Sequence, residues 1–394
     1  MKELLFVYDG NVASDDEGNF YAGTAFSQSV FERYLRHFDH ITLIAIPERK
    51  QTDLSKMNRL DGEKVSVVFL PYLRGSLKDF FSLKKNREFK RIICEQITPD
   101  RAVIVRLPST SGSIAAAYCK KIGKPFLAEI VGCPWDSYRN HSLRGKVLAP
   151  FEYLRQRRAV KKASHVVYVT DSFLQKRYPA RGLTAAISDV ELQSIDDGVI
   201  EKRMKKISET GGKLLVGTAA AVDVPYKGQR YVIEAIAKCK ARGKNGIEYH
   251  LAGGGNKAEL ENLAKSLGVE DCIVFDGTLP HDEMFCWLDR MDLYIQPSTV
   301  EAMPRALIEA MSRGLPAFAS RVGGMPELVN KSSVFEKRDT EAICEMICRL
   351  DSSAMKAMAS HNFNNAKNFR KDILEKKRND FYGDFAKASM EYEK

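Results

Sequence analysis

The chain has 394 residues, 44% hydrophobic and 28% charged, with a formal net charge of +10. That length exceeds one ordinary core and suits two domains of a globular protein. No apolar run approaches the roughly 18 residues needed to span a bilayer, and the opening MKELLFVYDG has neither the apolar length nor the small-residue site of a signal peptide.

In chain order, strand and helix patterns alternate. LLFVY reads as a buried strand, SQSVFERYLRHF as a helix and HITLIAI as a strand. VSVVFL, a basic helix near 77–96, RAVIVRLP, the helix SGSIAAAYCKKIG and PFLAEIVG follow. After a long basic segment comes the strand SHVVYVT. Around 180–212 the periodicity fades, and this stretch is expected to be an irregular interdomain connection.

A second series then begins: KLLVGTAAA, a helix near 228–242, IEYHLAGGG, a helix near 256–267, CIVFDGTL and a short helix near 281–289. It continues with DLYIQPS, a helix over 304–313, LPAFASR, a helix near 325–330 and SSVFE, and helices fill the rest. Continuous apolar strands alternating with helices predict an α/β fold of two Rossmann-like domains with mostly parallel sheets. The expected boundaries are 1–195 and 205–371, with the C-terminal helix 372–394 crossing back to the first domain. Two such domains are expected to face a central cleft, with ligands at the carboxyl ends of the strands.

The eight cysteines contain no C-x-x-C pair and the seven histidines form no ligand pattern. Free thiols and no metal site are therefore expected. The positive charge concentrates in KKNREFKR (84–91) and RQRRAVKK (155–162). Such runs attract nucleic acid, anionic lipid or anionic substrates, or are simply solvated helix faces. No helix-turn-helix and no basic-aromatic strand motif is present, so nucleic acid is not an expected partner.

The most informative stretch is STVEAMPRALIEAMSRGLP, residues 298–316. Pro304 suits the first turn of a helix, which leaves Glu301 in the preceding loop. Were both in one helix, Glu301 and Glu309 would stand roughly 12 Å apart along it, too far for a shared-proton pair or a glycosidase dyad. They read as two hydroxyl acceptors on either side of a helix N-terminus that suits phosphate. That order of hydroxyl, phosphate and hydroxyl groups fits a nucleotide-sugar. The spacing also fits a dipole partner at Glu301 and a solvated helix residue at Glu309.

This segment, with AFASRVGGMPELV after it, resembles the signature of the family 4 retaining glycosyltransferases, which have the GT-B fold. The resemblance covers nearly the whole chain and is strongest in its second half. It implies that Glu301 contacts the donor sugar, that Glu309 binds ribose, and that the backbone at Met303 and Arg305 holds the distal phosphate. In GTAAAVDVPYKG, Lys227 and Gly228 match the family's Lys-Gly pair, while Thr218 after Gly217 stands where the family has arginine, and the resemblance implies that both Gly217 and Thr218 bind the donor. Lys227 with Arg305 or Arg106 is then expected to neutralise the leaving diphosphate. Gly253 and Gly254 of AGGG are expected to line the nucleotide site, Thr278 and Leu279 to read the base, and Gly23 to approach the donor. On the acceptor side the expected residues are Arg106, Trp135, Asp136 and His141; the histidine that many relatives carry near Gly132 is missing.

The resemblance implies a retaining, metal-independent transfer from a nucleotide-sugar, UDP-sugar by preference, without a cofactor. The acceptor is a glycan or lipid-linked glycan in surface polysaccharide biosynthesis. Localisation is expected in the cytoplasm. Residues 84–91 and 144–162, where Val147, Phe151 and Leu154 interleave with basic side chains, are expected to touch an anionic membrane surface at the inner face of the plasma membrane. The competing reading is a catalytically silent nucleotide-sugar-binding protein, motivated by Thr218 and Gly132.

Overall fold

The structure is a computed structural model that describes residues 2–23, 26, 28–48, 53–60, 62–71, 83–141, 143–209 and 211–392. It divides into two compact units, one of residues 1–135, 147–187 and 375–394, the other of residues 136–146 and 188–374.

The first unit is built on β1 (Glu3–Ser14), β2 (Phe20–Ala22), β3 (His40–Pro47), β4 (Asn58–Arg59), β5 (Val65–Phe69), β6 (Arg101–Leu107), β7 (Leu127–Ile130), β8 (His165–Tyr168) and β9 (Leu183–Ala186). The parallel pairs give the order β5-β3-β1-β6-β7-β8-β9. Its first six strands have the Rossmann arrangement 3-2-1-4-5-6. Leu4–Val7 of β1 are fully buried, as expected for a central strand covered on both faces. The strand does not end at Tyr8. It shifts register between Val7 and Asn11, continues to Ser14 and pairs antiparallel with β2. Tyr8–Asn11 therefore lie within β1.

The helices of this part of the chain are α1 (Gln28–Leu35), α2 (Leu83–Gln96), α3 (Thr110–Ile122), α4 (Pro134–His141), α5 (Leu143–Val160) and α6 (Phe173–Arg177). The long basic segment is thus the two helices α4 and α5. Residues 77–82 of the expected basic helix lie outside the described residues. Ser109 caps α3 by accepting from the Gly112 N–H, and the Asp9 carboxylate accepts from the N–H groups of Thr110 and Ser111. Together they satisfy the orphan donors of that helix start.

The second unit has β10 (Leu214–Ala219), β11 (Ile247–Ala252), β12 (Ile273–Gly277), β13 (Leu293–Gln296), β14 (Ala317–Ser320) and β15 (Val334–Phe335). All pairs are parallel and the order is β12-β11-β10-β13-β14-β15, again 3-2-1-4-5-6. The strand order reverses about β10, which makes its carboxyl end the switch point where ligands bind. The helices are α7 (Gly198–Glu209), α8 (Gln229–Ala241), α9 (Ala258–Ser266), α10 (His281–Arg290), α11 (Arg305–Ser312), α12 (Met325–Leu328), α13 (Thr340–Cys348) and α14 (Ser352–Ala366).

The stretch expected to be irregular contains β9 and α7. Val199, Arg203 and Ile207 recur at helical spacing and are buried. Arg203 donates to the carbonyls of Met291, Leu288 and Arg313, so a polar sequence hides a core-facing helix. The last helix, α15 (Lys371–Glu391), contributes residues from Glu375 onward to the first unit. There Tyr382 donates to Glu129, and His165 lies 3.1 Å from Asp384 and edge-on to Phe385.

Candidate active site

A pocket of about 460 Å³ opens in the second unit at the switch point. Its floor is the carboxyl end of the sheet: Ala219 ending β10 with Ala220 and Ala221 after it, Ala252 and Gly253 at the end of β11, and Gln296 closing β13. Thr278 and Leu279, in the turn after β12, form one wall. The other wall is Lys227 and the approach to α11, with Glu301, Met303–Ala306 and Glu309. Pro304 sits at the N-cap of α11, one position before its expected place, so the first-turn N–H groups begin at Arg305. The orphan donors and dipole of this helix start favour an anion.

Lys227 and Glu301 are joined by an ion pair of 2.9 Å, both side chains being partly shielded. The sequence holds them apart by 74 residues, and two backbone devices bring them together. The Lys227 turn is pinned when the Thr299 N–H donates to the Tyr226 carbonyl at 2.7 Å. Gly228 follows with φ 80°, and a Cβ there would lie 2.1 Å from the Pro297 carbonyl oxygen. On the far side, Gly323 has φ 58°, and a Cβ would lie 2.0 Å from the Glu301 carbonyl oxygen. The Gly324 N–H donates to Ala302 at 2.8 Å. The GGMPE turn therefore backs the Glu301 loop.

Glu309 is only 7% exposed. Burial raises its carboxyl pKa, and Arg305 and His281 oppose that rise. Beneath the pocket runs a buried relay: the Ala219 N–H donates to the Tyr294 hydroxyl, which donates to Gln296, whose amide donates to the Ser298 hydroxyl. Burial pushes the Tyr294 hydroxyl pKa upward, so it remains a donor. Gln296 was not singled out from sequence. Its signal was a polar residue ending an apolar strand at a switch point.

The pocket gathers Glu301, Glu309, Lys227, Met303, Arg305, Gly253, Thr278 and Leu279. Gly217 and Thr218 are not among its lining residues, and this corrects their expected role. The Thr218 side chain is fully buried, donating to the Ile295 carbonyl and accepting from the Tyr249 hydroxyl. Gly217 is small because a Cβ would lie 2.7 Å from Trp287 and 2.8 Å from Met291 of the packed α10 segment. Gly254 serves the loop: its carbonyl accepts from Val222, and a Cβ would approach the Thr278 hydroxyl to 2.7 Å.

Residues 213–352 match the family model for glycosyl transferases group 1. Over 351 residues the chain is 34% identical to protein CapJ of Staphylococcus aureus, covering 88% of this chain and 86% of that relative. The chain belongs to the group 1 glycosyltransferases. Two solved structures share its fold at low identity. Sucrose-phosphate synthase from Thermosynechococcus elongatus aligns at TM-score 0.65 and 14% identity over 98% of this chain and 100% of its own. Anabaena Alr3699/HepE, solved in complex with UDP and glucose, aligns at TM-score 0.58 and 17% identity over 95% and 97%. The transferase thus has the GT-B fold, with two Rossmann-like units.

Of the remaining expected residues of the transferase, Gly23, Arg106 and Trp135 belong to the first unit, and Asp136 and His141 to the segment 136–146 of the second. Arg106 is not a spare cation: it forms a 2.9 Å ion pair with buried Glu129, which also accepts from the hydroxyls of Tyr34 and Tyr382. Trp135 packs edge-on to Tyr153 at 5.9 Å, and the Asp136 carbonyl accepts from Asn140. Gly23 follows β2 with open space around its Cβ position, and its carbonyl accepts from the Phe26 N–H. The His141 side chain lies outside the described residues.

All eight cysteines are free thiols. Cys239, Cys344 and Cys348 bring their sulfurs within 4.8 Å of one another, a grouping the sequence hid because Cys239 lies on a different helix. Burial pushes the Cys239 and Cys344 thiols upward, so they pack as neutral groups within the α8–α13 core.

Proposed function

We propose that the transferase binds a nucleotide-sugar, UDP-sugar by preference, in the pocket of its second unit. It transfers the sugar with retention and without a metal ion to a glycan or lipid-linked glycan acceptor of capsule or surface polysaccharide biosynthesis. The observation that carries this reading is the joint placement of Lys227, Glu301, Glu309 and the α11 N-terminus on one pocket. The UDP and glucose bound by HepE support the same donor class.

In this reading Glu309 accepts from the ribose hydroxyls and Glu301 from the sugar. The positive charge that stabilises the departing diphosphate comes from Lys227, Arg305 and the first turn of α11. The bond from the anomeric carbon to the diphosphate oxygen breaks, and a bond to the acceptor oxygen forms on the same face. The acceptor proton passes to a phosphate oxygen. Thr218 bears on this reading differently from the expected loss of a cation, because its hydroxyl serves the sheet interior.

We place the enzyme at a membrane surface, peripherally, through 84–91 and 144–162. Among the described residues no helix is long and apolar enough to cross a membrane. Supporting the surface placement, Val147 and Phe151 of α5 are 67% and 66% exposed between basic side chains. The decisive test is a thermal-shift panel of UDP, GDP, ADP and dTDP, followed by incubation with UDP-sugars. UDP stabilisation and UDP release that requires an acceptor support the transferase reading. Stabilisation without turnover over any acceptor would move the silent-binder reading ahead.

A further inference from the structure

The first unit holds a second pocket, of about 410 Å³, remote in sequence from the donor residues. Its size falls in the ligand-site range of about 300–1,000 Å³. Lys90 and Cys94 of α2 form one side and Arg155 of α5 another. The floor is one face of α3, with Ile114, Ala117 and Tyr118, and Lys121 stands at its end. Three cations therefore rim a mostly apolar floor, and among the described residues no carboxylate lines it. Arg155 spends two of its donors on Glu152 and the Ser109 carbonyl, while its Nε makes no hydrogen bond.

Two neighbouring features share this chemistry. The run Lys84, Lys85, Arg87, Lys90 and Arg91 lies on α2, with Phe89 turned into the core and the rest of the run at or near the surface. On α5, Val147, Phe151 and Leu154 recur at helical spacing on one face and stay exposed, and Arg155 is the next residue. A long apolar stripe beside a cationic rim complements an anionic amphiphile rather than a soluble anion or a neutral apolar ligand.

We propose that this pocket binds one anionic phospholipid of the bilayer. Its phosphate sits among Lys90, Lys121 and Arg155, and the start of one acyl chain lies on Ile114, Ala117 and Tyr118. The Val147–Phe151–Leu154 stripe enters the interface beside it. The proposal rests on the peripheral placement above and adds a defined lipid site to it.

The test uses the full chain with two probes. One is dodecyl phosphate below its micelle concentration; the other is vesicles of phosphatidylcholine with or without phosphatidylglycerol. Two variants separate pocket from stripe: Ala117→Trp, which fills the pocket from an exposed helix position, and Phe151→Ser. UDP stabilisation in each variant reports that the fold is intact. The expected result is saturable one-site binding of dodecyl phosphate by wild type and Phe151→Ser, weakened at least 10-fold in Ala117→Trp and in Lys90→Glu/Lys121→Glu. Binding to anionic vesicles should fall several-fold in both Ala117→Trp and Phe151→Ser. Equal binding of inorganic phosphate, or of dodecyl maltoside, overturns the proposal, as does unchanged dodecyl phosphate binding in Ala117→Trp. If vesicles bind but dodecyl phosphate does not, the pocket fails and the peripheral placement stands. If wild type binds no anionic vesicle at low salt, the placement itself fails.

Discussion

The ammonium of Lys227 stands 2.9 Å from the Glu301 carboxylate, so the cation proposed for the diphosphate is held by the acid proposed for the sugar. Each restrains the other until a ligand divides them. Replacing Glu301 by Gln should release Lys227 toward phosphate. UDP affinity is expected to hold or rise in Glu301→Gln while sugar transfer falls at least 100-fold, about 2.7 kcal/mol of transition-state stabilisation. Calorimetric titration with UDP and a transfer assay on the same sample check both halves. Equal losses in binding and turnover would count against the division of roles.

Lys227→Ala should lose both functions. Removing a donor aimed at a developing anion costs about 100–1,000-fold in kcat. The pair is partly exposed, so the folded state should hardly notice the change, with a loss below about 1 kcal/mol in urea unfolding. A Lys227→Ala protein with near-normal kcat would remove the lysine from the mechanism.

Glu309 carries a pH signature. Burial raises its carboxyl pKa above the ordinary glutamate range, so ionising it costs folding energy. Its contribution is fully present below the unfolded value of about 4.3 and is lost as pH rises through the raised folded value. Glu309→Gln should therefore raise the melting temperature at pH 7 and leave it unchanged near pH 4. The same change should weaken UDP binding about 10-fold, or about 1.4 kcal/mol. UDP affinity of the wild type should fall on acidification through that range, and the variant should lack this slope. A melting temperature lowered at pH 7 would show that the buried carboxylate stabilises the apo fold.

Gly323→Ala tests the backing of the donor loop. A Cβ there meets the Glu301 carbonyl at 2.0 Å, and the φ of 58° adds about 1–3 kcal/mol of strain for an alanine. The expected outcome is a protein that folds, melts earlier and binds UDP weakly because residues 301 and 302 are displaced. Normal UDP affinity would mean that the loop is held without the glycine turn.

Glu129→Ala should be the most damaging change in the first unit. It removes the buried ion-pair partner of the largely shielded Arg106 and the acceptor of the Tyr34 and Tyr382 hydroxyls, and breaking a buried pair from one side costs about 3–5 kcal/mol. Urea unfolding measures this, and a cost below about 1 kcal/mol would contradict the network. Because Tyr382 belongs to α15, truncating that helix should produce a comparable loss.

How far the chain could be read by eye depended on whether a signal was local. The apolar runs LLFVY, KLLVG and DLYIQ report strands directly, because a parallel strand covered on both faces has no polar side to confuse the pattern. The segment around Glu301 and Glu309 was legible for the same reason: loop, cap and helix start are all set within a dozen residues. α7 was not, because the buried guanidinium of Arg203 finds carbonyls that come from α10 and from beyond α11. Thr218 was misread as a donor-site residue, since a hydroxyl in a strand gives no sign of which neighbouring strand will take it. The ion pair of Arg106 with Glu129 was equally hidden, because Glu129 lies one strand over.

Local periodicity and the spacing of Gly, Pro and Glu were enough to determine two α/β units and the motif carrying Glu301 and Glu309. Tertiary structure alone decided which charges are spent and which line the pocket. Lys227 meets Glu301 across 74 residues, Arg106 pairs with Glu129, and Gln296 closes the pocket floor while accepting from Tyr294 beneath it. The physical reason is that a hydrophobic pattern is written along the chain, whereas the partner of a buried polar group is chosen by whichever segment the fold brings within about 3 Å of it.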